Sequence, residues 1–224
     1  LTIGALLFDL DGTLVDTAPD LVAALNRLLA ENGEPAMPYA IARNEASHGA
    51  LGLIRLGFGA ELSADRREQL RNRFLELYAA CVCDKSRLFI DIEQIARRVT
   101  PALPWGIVTN KPEAFTVPLL ERLGLAKLAA CVVSGDTLAQ RKPHPAPLLH
   151  AAAKLGLKPP ACVYVGDAAR DIEAARAAGM QTWAALWGYI RPSENPASWA
   201  ADESIRHPRE LEGILSRHGF RFAK

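Results

Sequence analysis

The sequence predicts an α/β fold: a doubly wound parallel sheet with an α-helical cap domain inserted into it. Three observations carry that reading. Short, almost wholly apolar runs recur at residues 3–8, 105–109, 130–134 and 162–166, with a weaker one at 180–186. Runs of this length without polar alternation suit strands buried on both faces. One helical pattern follows each of the later runs, over residues 112–123, 145–155, 168–178 and 208–217, and that alternation builds a parallel sheet with helices on both faces. After the first run the rhythm breaks, and helical patterns follow with no strand until residue 105.

Taken in order, the first run ends in Asp9-Leu10-Asp11-Gly12-Thr13. Thr17-Ala18-Pro19-Asp20 then opens a helix with the arrangement of a capping box and an early proline. Leu21, Leu25, Leu28 and Leu29 give it an apolar stripe, and Gly33 stops it. Further helices are expected near 39–45, 50–56 and 64–82. The expected division is a sheet-bearing core of residues 1–15 and 86–224 and a helical cap of residues 16–85.

A chain of 224 residues can bury one sizeable core and a smaller appended module. Its formal net charge of +1 gives no electrostatic reason to expect nucleic acid or an anionic membrane as partner. The longest uncharged apolar-rich stretch, residues 177–190, is too short to span a bilayer. The first residue is Leu rather than Met, so residues are expected to precede it, and no basic flank or cleavage motif marks a secretory signal. Cys81, Cys83, Cys131 and Cys162 match neither a zinc knuckle nor a redox pair, which predicts reduced thiols in a cytoplasmic protein.

Asp9 and Asp11 stand two residues apart at the carboxyl end of a buried strand, where their side chains project the same way. Two such carboxylates repel and need a cation or a shared proton. In open parallel sheets the ligand crevice lies at this end. Gly166-Asp167 closes another run, and Asp171 falls on the first turn of the next helix. Singly, each aspartate could cap a turn or a helix. Jointly they bring four carboxylates to the ends of two strands that could be neighbours. All-oxygen ligation suits Mg²⁺, and no His or Cys that a softer metal would prefer lies in these motifs. Lys142, in the rigid Lys142-Pro143-His144-Pro145 stretch, offers a balancing ammonium, though a solvated surface lysine is the usual fate of the type. Thr109-Asn110, before a helix expected from Pro112, offers a hydroxyl and free backbone N–H groups to an anion, or a plain helix cap.

The ordered set resembles a known family. Asp9-Leu10-Asp11-Gly12-Thr13-Leu14-Val15-Asp16-Thr17 looks like the first motif of haloacid dehalogenase-type phosphatases. Thr109-Asn110 resembles the second motif, Lys142 with its prolines the third, and Gly166-Asp167-Ala168-Ala169-Arg170-Asp171 the fourth. The resemblance implies that Asp9 attacks phosphorus to form an aspartyl-phosphate. Asp11 then protonates the leaving alkoxide and later takes a proton from the hydrolytic water. It implies Mg²⁺ held by Asp9, the Asp11 main-chain carbonyl and Asp167, with Asp171 ordering this shell. Mg²⁺ and Lys142 would offset the repulsion between Asp9 and a phosphate dianion, roughly 4 kcal/mol per unit-charge pair at 4 Å with an effective dielectric near 20. Thr109 and the Asn110 amide would bind phosphate oxygens. The cap would close over the site, with Arg43 and the loop Ser47-His48-Gly49-Ala50 as candidates for reading the substrate. Lys111 could join them or lie on the surface.

The chain as a whole looks like the phosphoglycolate phosphatase branch. Within it, Trp105-Gly106-Ile107-Val108-Thr109-Asn110-Lys111-Pro112 and Gly188-Tyr189-Ile190-Arg191-Pro192-Ser193-Glu194-Asn195-Pro196, with Trp199 and His207-Pro208, resemble the N-acetylmuramic acid 6-phosphate phosphatases of bacterial cell-wall recycling. The implied partner is a small phosphorylated metabolite, the amino-sugar phosphate slightly ahead of 2-phosphoglycolate, met by a monomer or weak homodimer. Rival readings are a dehalogenase, which would not need Asp11, a phosphomutase, and a catalytically silent binding protein, which would not need an acid beside a nucleophile. A phosphonate hydrolase would want a cap lysine, and the cap has only Lys85 at its edge.

Overall fold

The computed structural model describes residues 3–99 and 102–220. The first two and last four residues assigned to the core lie outside them. The chain opens with β1 (Ala5–Phe8) and passes through the two-residue β2 (Val15–Asp16). It then enters α1 (Ala18–Glu31), α2 (Tyr39–Ala42), a 3₁₀ turn (Arg43–His48), α3 (Gly49–Phe58) and α4 (Ala64–Ala79). β3 (Arg87–Leu88) returns antiparallel to β2, so this helical block meets the rest through a two-stranded ribbon. There follow α5 (Ile92–Val99), β4 (Trp105–Val108), α6 (Glu113–Arg122), β5 (Cys131–Val133), α7 (Ala146–Lys154) and β6 (Cys162–Gly166). The chain closes with α8 (Ala169–Ala177), β7 (Gln181–Ala185), β8 (Glu203–Ile205) and α9 (Glu210–Arg217).

Six strands form one sheet in the order β5-β4-β1-β6-β7-β8, every neighbouring pair parallel. From β1 the chain steps outward to β4 and β5, then returns to the other side of β1 for β6. The order therefore reverses between β1 and β6, the position where open α/β sheets hold ligands. The strands are apolar throughout because both faces are covered. Leu6 and Phe8 point into a core shared with α5, α6 and α9. Ala5 and Leu7 point the other way, against α7 and α8. The first of these cores runs without a break through Leu10 and Leu14 into Leu21, Leu25 and Leu28 of α1.

The sequence left α5 unassigned. Its four buried residues, Ile92, Ile95, Ala96 and Val99, follow helical spacing but fill only eight positions between charged neighbours. The strands β2, β3 and β8 are two or three residues long, too short to carry a period. Expected helix 39–45 is α-helical only to Ala42, and the fourth cap helix ends at Ala79. The expected capping box at Thr17 does not form. Thr17 Oγ1 donates to Asp11 Oδ1 at 2.5 Å instead. The Asp20 carboxylate accepts from Lys85 N, Ser86 N and Ser86 Oγ, pinning α1 to the returning segment.

Candidate active site

Pairing of β1 with β6 sets the floor of the site. Phe8 lies opposite Val165, and Asp9 N donates to Val165 O at 2.9 Å, so Asp9 and Asp167 leave adjacent strands side by side. Asp171 joins them from the first turn of α8, where its Oδ2 also accepts from Ala168 N. Carboxylate oxygens of Asp9, Asp167 and Asp171, all buried, lie within 4.8 Å of one another. Lys142, 3 % exposed, places Nζ at 2.8 Å from Asp9 Oδ1, 2.8 Å from Asp171 Oδ1 and 2.6 Å from Tyr164 Oη. Tyr164 Oη in turn donates to Val108 O at 2.7 Å. All three ammonium donors are satisfied, which burial of a lysine requires. Burial opposes the Lys142 charge, but Asp171 and Asp9 hold its ammonium above the ordinary lysine value. Burial raises Asp9, with Lys142 pulling against it. Burial, then the nearness of Asp9 and Asp171, pushes Asp167 up to about 7.

Lys142 is aimed by Asn110. Asn110 Oδ1 accepts from Lys142 N at 3.0 Å, and Asn110 Nδ2 donates to Lys142 O at 2.9 Å. The Asn110 side chain is therefore a clamp on the lysine backbone, so its phosphate-binding role can rest only on main-chain groups. Gly135 makes this approach possible, since a Cβ there would stand 2.1 Å from Asn110 O. Thr109 Oγ1 accepts from Lys111 N at 3.1 Å. Lys111 is not on the surface: it is 8 % exposed, with Nζ 2.9 Å from Asp11 Oδ1 and 4.6 Å from the centre of the Tyr78 ring. Burial works against its charge, but Asp11 and Tyr78 raise the ammonium above the usual lysine range.

The cap supplies the other wall. Ser47 Oγ donates to Asp167 at 3.2 Å, and Arg170 Nη2 donates to Ser47 O at 2.8 Å. His48 is half-buried. Its Nδ1 has no partner, and its Nε2 stands 4.0 Å from Glu194. Burial lowers it below the ordinary imidazole value, and Arg191 and Arg170 add to that. Gly49 takes φ +62° at the start of α3, facing open space. Arg43 departs from its expected role. It donates to the carbonyls of Gly188 and Trp187 at 3.2 and 3.3 Å and lies over the Tyr189 ring, so it docks the cap on the core and is not among the residues lining the cavity. Beside it, Arg191 grips both carboxylate oxygens of Glu45 at 2.7 and 2.5 Å.

Between cap and core lies a cavity of about 380 Å³. Asp9, Asp11, Ser47, His48, Gly49, Thr109, Asn110, Lys111 and Arg170 line its polar side, and Leu51, Phe74, Tyr78 and Phe115 its apolar side. Lys142 stands just beneath, through its bond to Asp9. Arg170 and Tyr189 were not singled out from sequence as site residues. Both lay inside quoted motifs, and for Arg170 the signal was a large polar side chain following the small Ala168 and Ala169. Tyr189 N donates to Asp167 Oδ2 at 2.8 Å, and its hydroxyl bonds Asp16 and Ala18 N of the cap entrance. The carboxylate trio, opposed by one ammonium, is a donor set of oxygens alone and suits a hard cation such as Mg²⁺. A Cβ at Gly12 or Gly188 would come within 2.2 Å of Asp167, so the backbone closes tightly around this ligand set.

Comparison with known proteins identifies relatives along most of the chain. The family model of haloacid dehalogenase-like hydrolases matches residues 3–179. A phosphoglycolate phosphatase of Xanthomonas campestris is 47% identical over 208 residues, covering 92% of this chain and 94% of the relative. An N-acetylmuramic acid 6-phosphate phosphatase of Pseudomonas aeruginosa is 41% identical over 214 residues, 95% of each. The crystal structure of a predicted phosphoglycolate phosphatase from Haemophilus somnus superposes with a TM-score of 0.84 at 27% identity, covering 95% of this chain and 97% of that one. The chain thus belongs to the haloacid dehalogenase-like hydrolases, in the branch whose relatives are named as phosphatases of phosphoglycolate and of N-acetylmuramic acid 6-phosphate.

Proposed function

We propose that this protein is a Mg²⁺-dependent phosphomonoesterase that works through a phosphorylated Asp9. One observation carries the reading: Lys142 Nζ, fixed by three partners, holds Asp9 Oδ1 at 2.8 Å on the wall of the cavity between cap and core, with Asp167 and Asp171 alongside. Lys142 steadies one Asp9 oxygen, and the other attacks phosphorus while the bond to the leaving oxygen breaks. Asp11, tethered through Oδ1 by Lys111 and Thr17, donates a proton to that oxygen. It then accepts one from the water that attacks the aspartyl-phosphate, which returns Asp9 and releases inorganic phosphate. Thr109, the main-chain N–H of Asn110 and Lys142 receive the phosphoryl oxygens. Bound by Asp9, Asp167, the Asp11 carbonyl and, behind them, Asp171, Mg²⁺ would neutralise charge between nucleophile and phosphate.

The helical block of residues 16–85 serves as the cap, and Ser47, His48 and Gly49 bring its edge to the substrate. Relatives carrying both phosphatase names point to a small organic phosphate, and an amino-sugar phosphate is the better match for a 380 Å³ cavity. The four unpaired thiols fit a reducing, cytoplasmic compartment, the relative named for N-acetylmuramic acid 6-phosphate supports a place in peptidoglycan recycling, and the enzyme acts in this reading as a monomer or weak homodimer. The test is phosphate release from p-nitrophenyl phosphate with and without Mg²⁺. Asp9→Asn should lower kcat by about 10⁴-fold or more with the fold intact. A folded wild-type protein inactive with Mg²⁺ present, or an active Asp9→Asn variant, would refute it.

A further inference from the structure

The cavity carries a second set of charges that the phosphoryl chemistry leaves unused. Arg71, half-buried, and Arg141, exposed, both line it. Among the described residues neither makes an ion pair or a side-chain hydrogen bond. Their neighbours differ: Arg73, two residues along the same helix, is tied to Glu31 and Glu76, and Arg170 to Ser47. Asp9 and Asp11 are the cavity's own carboxylates, and each already has a lysine within 2.9 Å.

The helix geometry gives a distance. Arg71, Phe74, Leu75 and Tyr78 of α4 all line the cavity, at the i, i+3, i+4, i+7 spacing of one face. Tyr78 marks the phosphate end, because its ring centre is 4.6 Å from the Lys111 ammonium that holds Asp11. Seven residues at the rise of a helix place Arg71 about 10 Å further along the axis. Helical side chains lean toward the N-terminus, which carries the guanidinium away from Tyr78. Three bonds separate phosphorus from the carboxyl carbon of 2-phosphoglycolate, a reach of roughly 4 Å by comparison with the three-bond backbone repeat. That molecule cannot join the two ends. Between them lie Phe74, Tyr78 and Phe115, the last two with ring centres 5.3 Å apart, an apolar wall of the kind that packs a sugar ring.

We propose that Arg71, with Arg141 on the core side of the same cavity, binds a carboxylate on the leaving group. The enzyme then selects phosphomonoesters whose carboxylate and phosphate stand apart by about a sugar ring. N-acetylmuramic acid 6-phosphate has this shape, with phosphate on C6 and a lactyl carboxylate on C3. The inference rests on the phosphatase reading above. It is tested by kcat/KM on N-acetylmuramic acid 6-phosphate, on N-acetylglucosamine 6-phosphate, which lacks only the lactyl group, and on 2-phosphoglycolate. The wild-type protein should prefer the carboxylated sugar by about ten- to a hundredfold, the size of a charge-assisted hydrogen bond. In Arg71→Met that ratio should fall toward one, mainly through KM, while Arg71→Lys keeps part of it and both variants melt where the wild type does. A wild-type ratio near one, a ratio unchanged in Arg71→Met, or a higher kcat/KM on 2-phosphoglycolate overturns the subsite. Turnover of p-nitrophenyl phosphate in the same samples separates these outcomes from failure of the phosphatase reading itself.

Discussion

The floor of the site and its cap edge are built on opposite principles. On the floor every charge is buried and held by several partners: Lys142 by Asp9, Asp171 and Tyr164, and Asp167 by Tyr189 N, Thr13 and Ser47. At the cap edge the ties are partly exposed and join isolated pairs from different chain segments, as with Arg191 on the two oxygens of Glu45 or His48 near Glu194. A buried charge cluster holds one geometry because losing any member strands the others. Half-exposed pairs contribute little each, so they can part and re-form. The difference matches two tasks: fixing reacting atoms, and admitting a substrate.

The sharpest way to break this contrast is Lys142→Met. It leaves Asp9 and Asp171 facing each other without a cation, and about 3–5 kcal/mol of stability should be lost, read from urea unfolding. Lys142→Arg should rescue little, since a planar guanidinium cannot meet three acceptors set around one nitrogen. Next in size is Gly188→Ala. Its Cβ would stand 2.2 Å from the Asp167 Cβ, so the loop or the aspartate must shift, at about 1–3 kcal/mol. Weaker Mg²⁺-induced protection in a thermal melt should accompany that loss. At the seam, a double-mutant cycle of Glu45→Ala and Arg191→Ala should give a coupling of only about 0.2–1 kcal/mol. A coupling as large as the floor's would erase the distinction.

The smallest effect should come from His48. Its folded-state value lies below the ordinary imidazole value of about 6.5, because burial and then Arg191 and Arg170 disfavour the imidazolium. Below pH 6.5 the unfolded chain therefore binds the proton more readily. Stability complete above that value declines as the pH falls toward the folded-state value. A shallower decline in melting temperature is expected for His48→Gln over the same acid range; identical profiles would remove His48 as the source.

Much of the floor was legible in the sequence because its residues sit at the ends of apolar runs or where the following helices open. Asp9, Asp167, Thr109 and Lys142 each belong to a short motif whose position in the fold follows from strand and helix alternation. What the sequence could not give was orientation. Arg43 was expected to face a ligand but found nearer backbone partners, the Asn110 side chain turned to the Lys142 backbone, and Thr17 turned from capping its helix to bonding Asp11. Lys111 was a lysine like any other until α4 brought Tyr78 over it. Contacts between segments far apart in the chain, such as Tyr189 with Asp16, leave no local pattern to read.

The ribbon of β2 and β3 has a consequence of its own. Val15 pairs with Leu88 and Asp16 with Arg87, so the polypeptide departs from the sheet and rejoins it at the same doorway. The strands behind that doorway are blind to how much chain lies outside it. A longer or shorter excursion changes the closure entropy only logarithmically, about 0.6 kcal/mol for each doubling. One invariant engine can therefore be fitted with different antechambers, and changes of diet can accumulate there without disturbing the strand ends where the bond is cut.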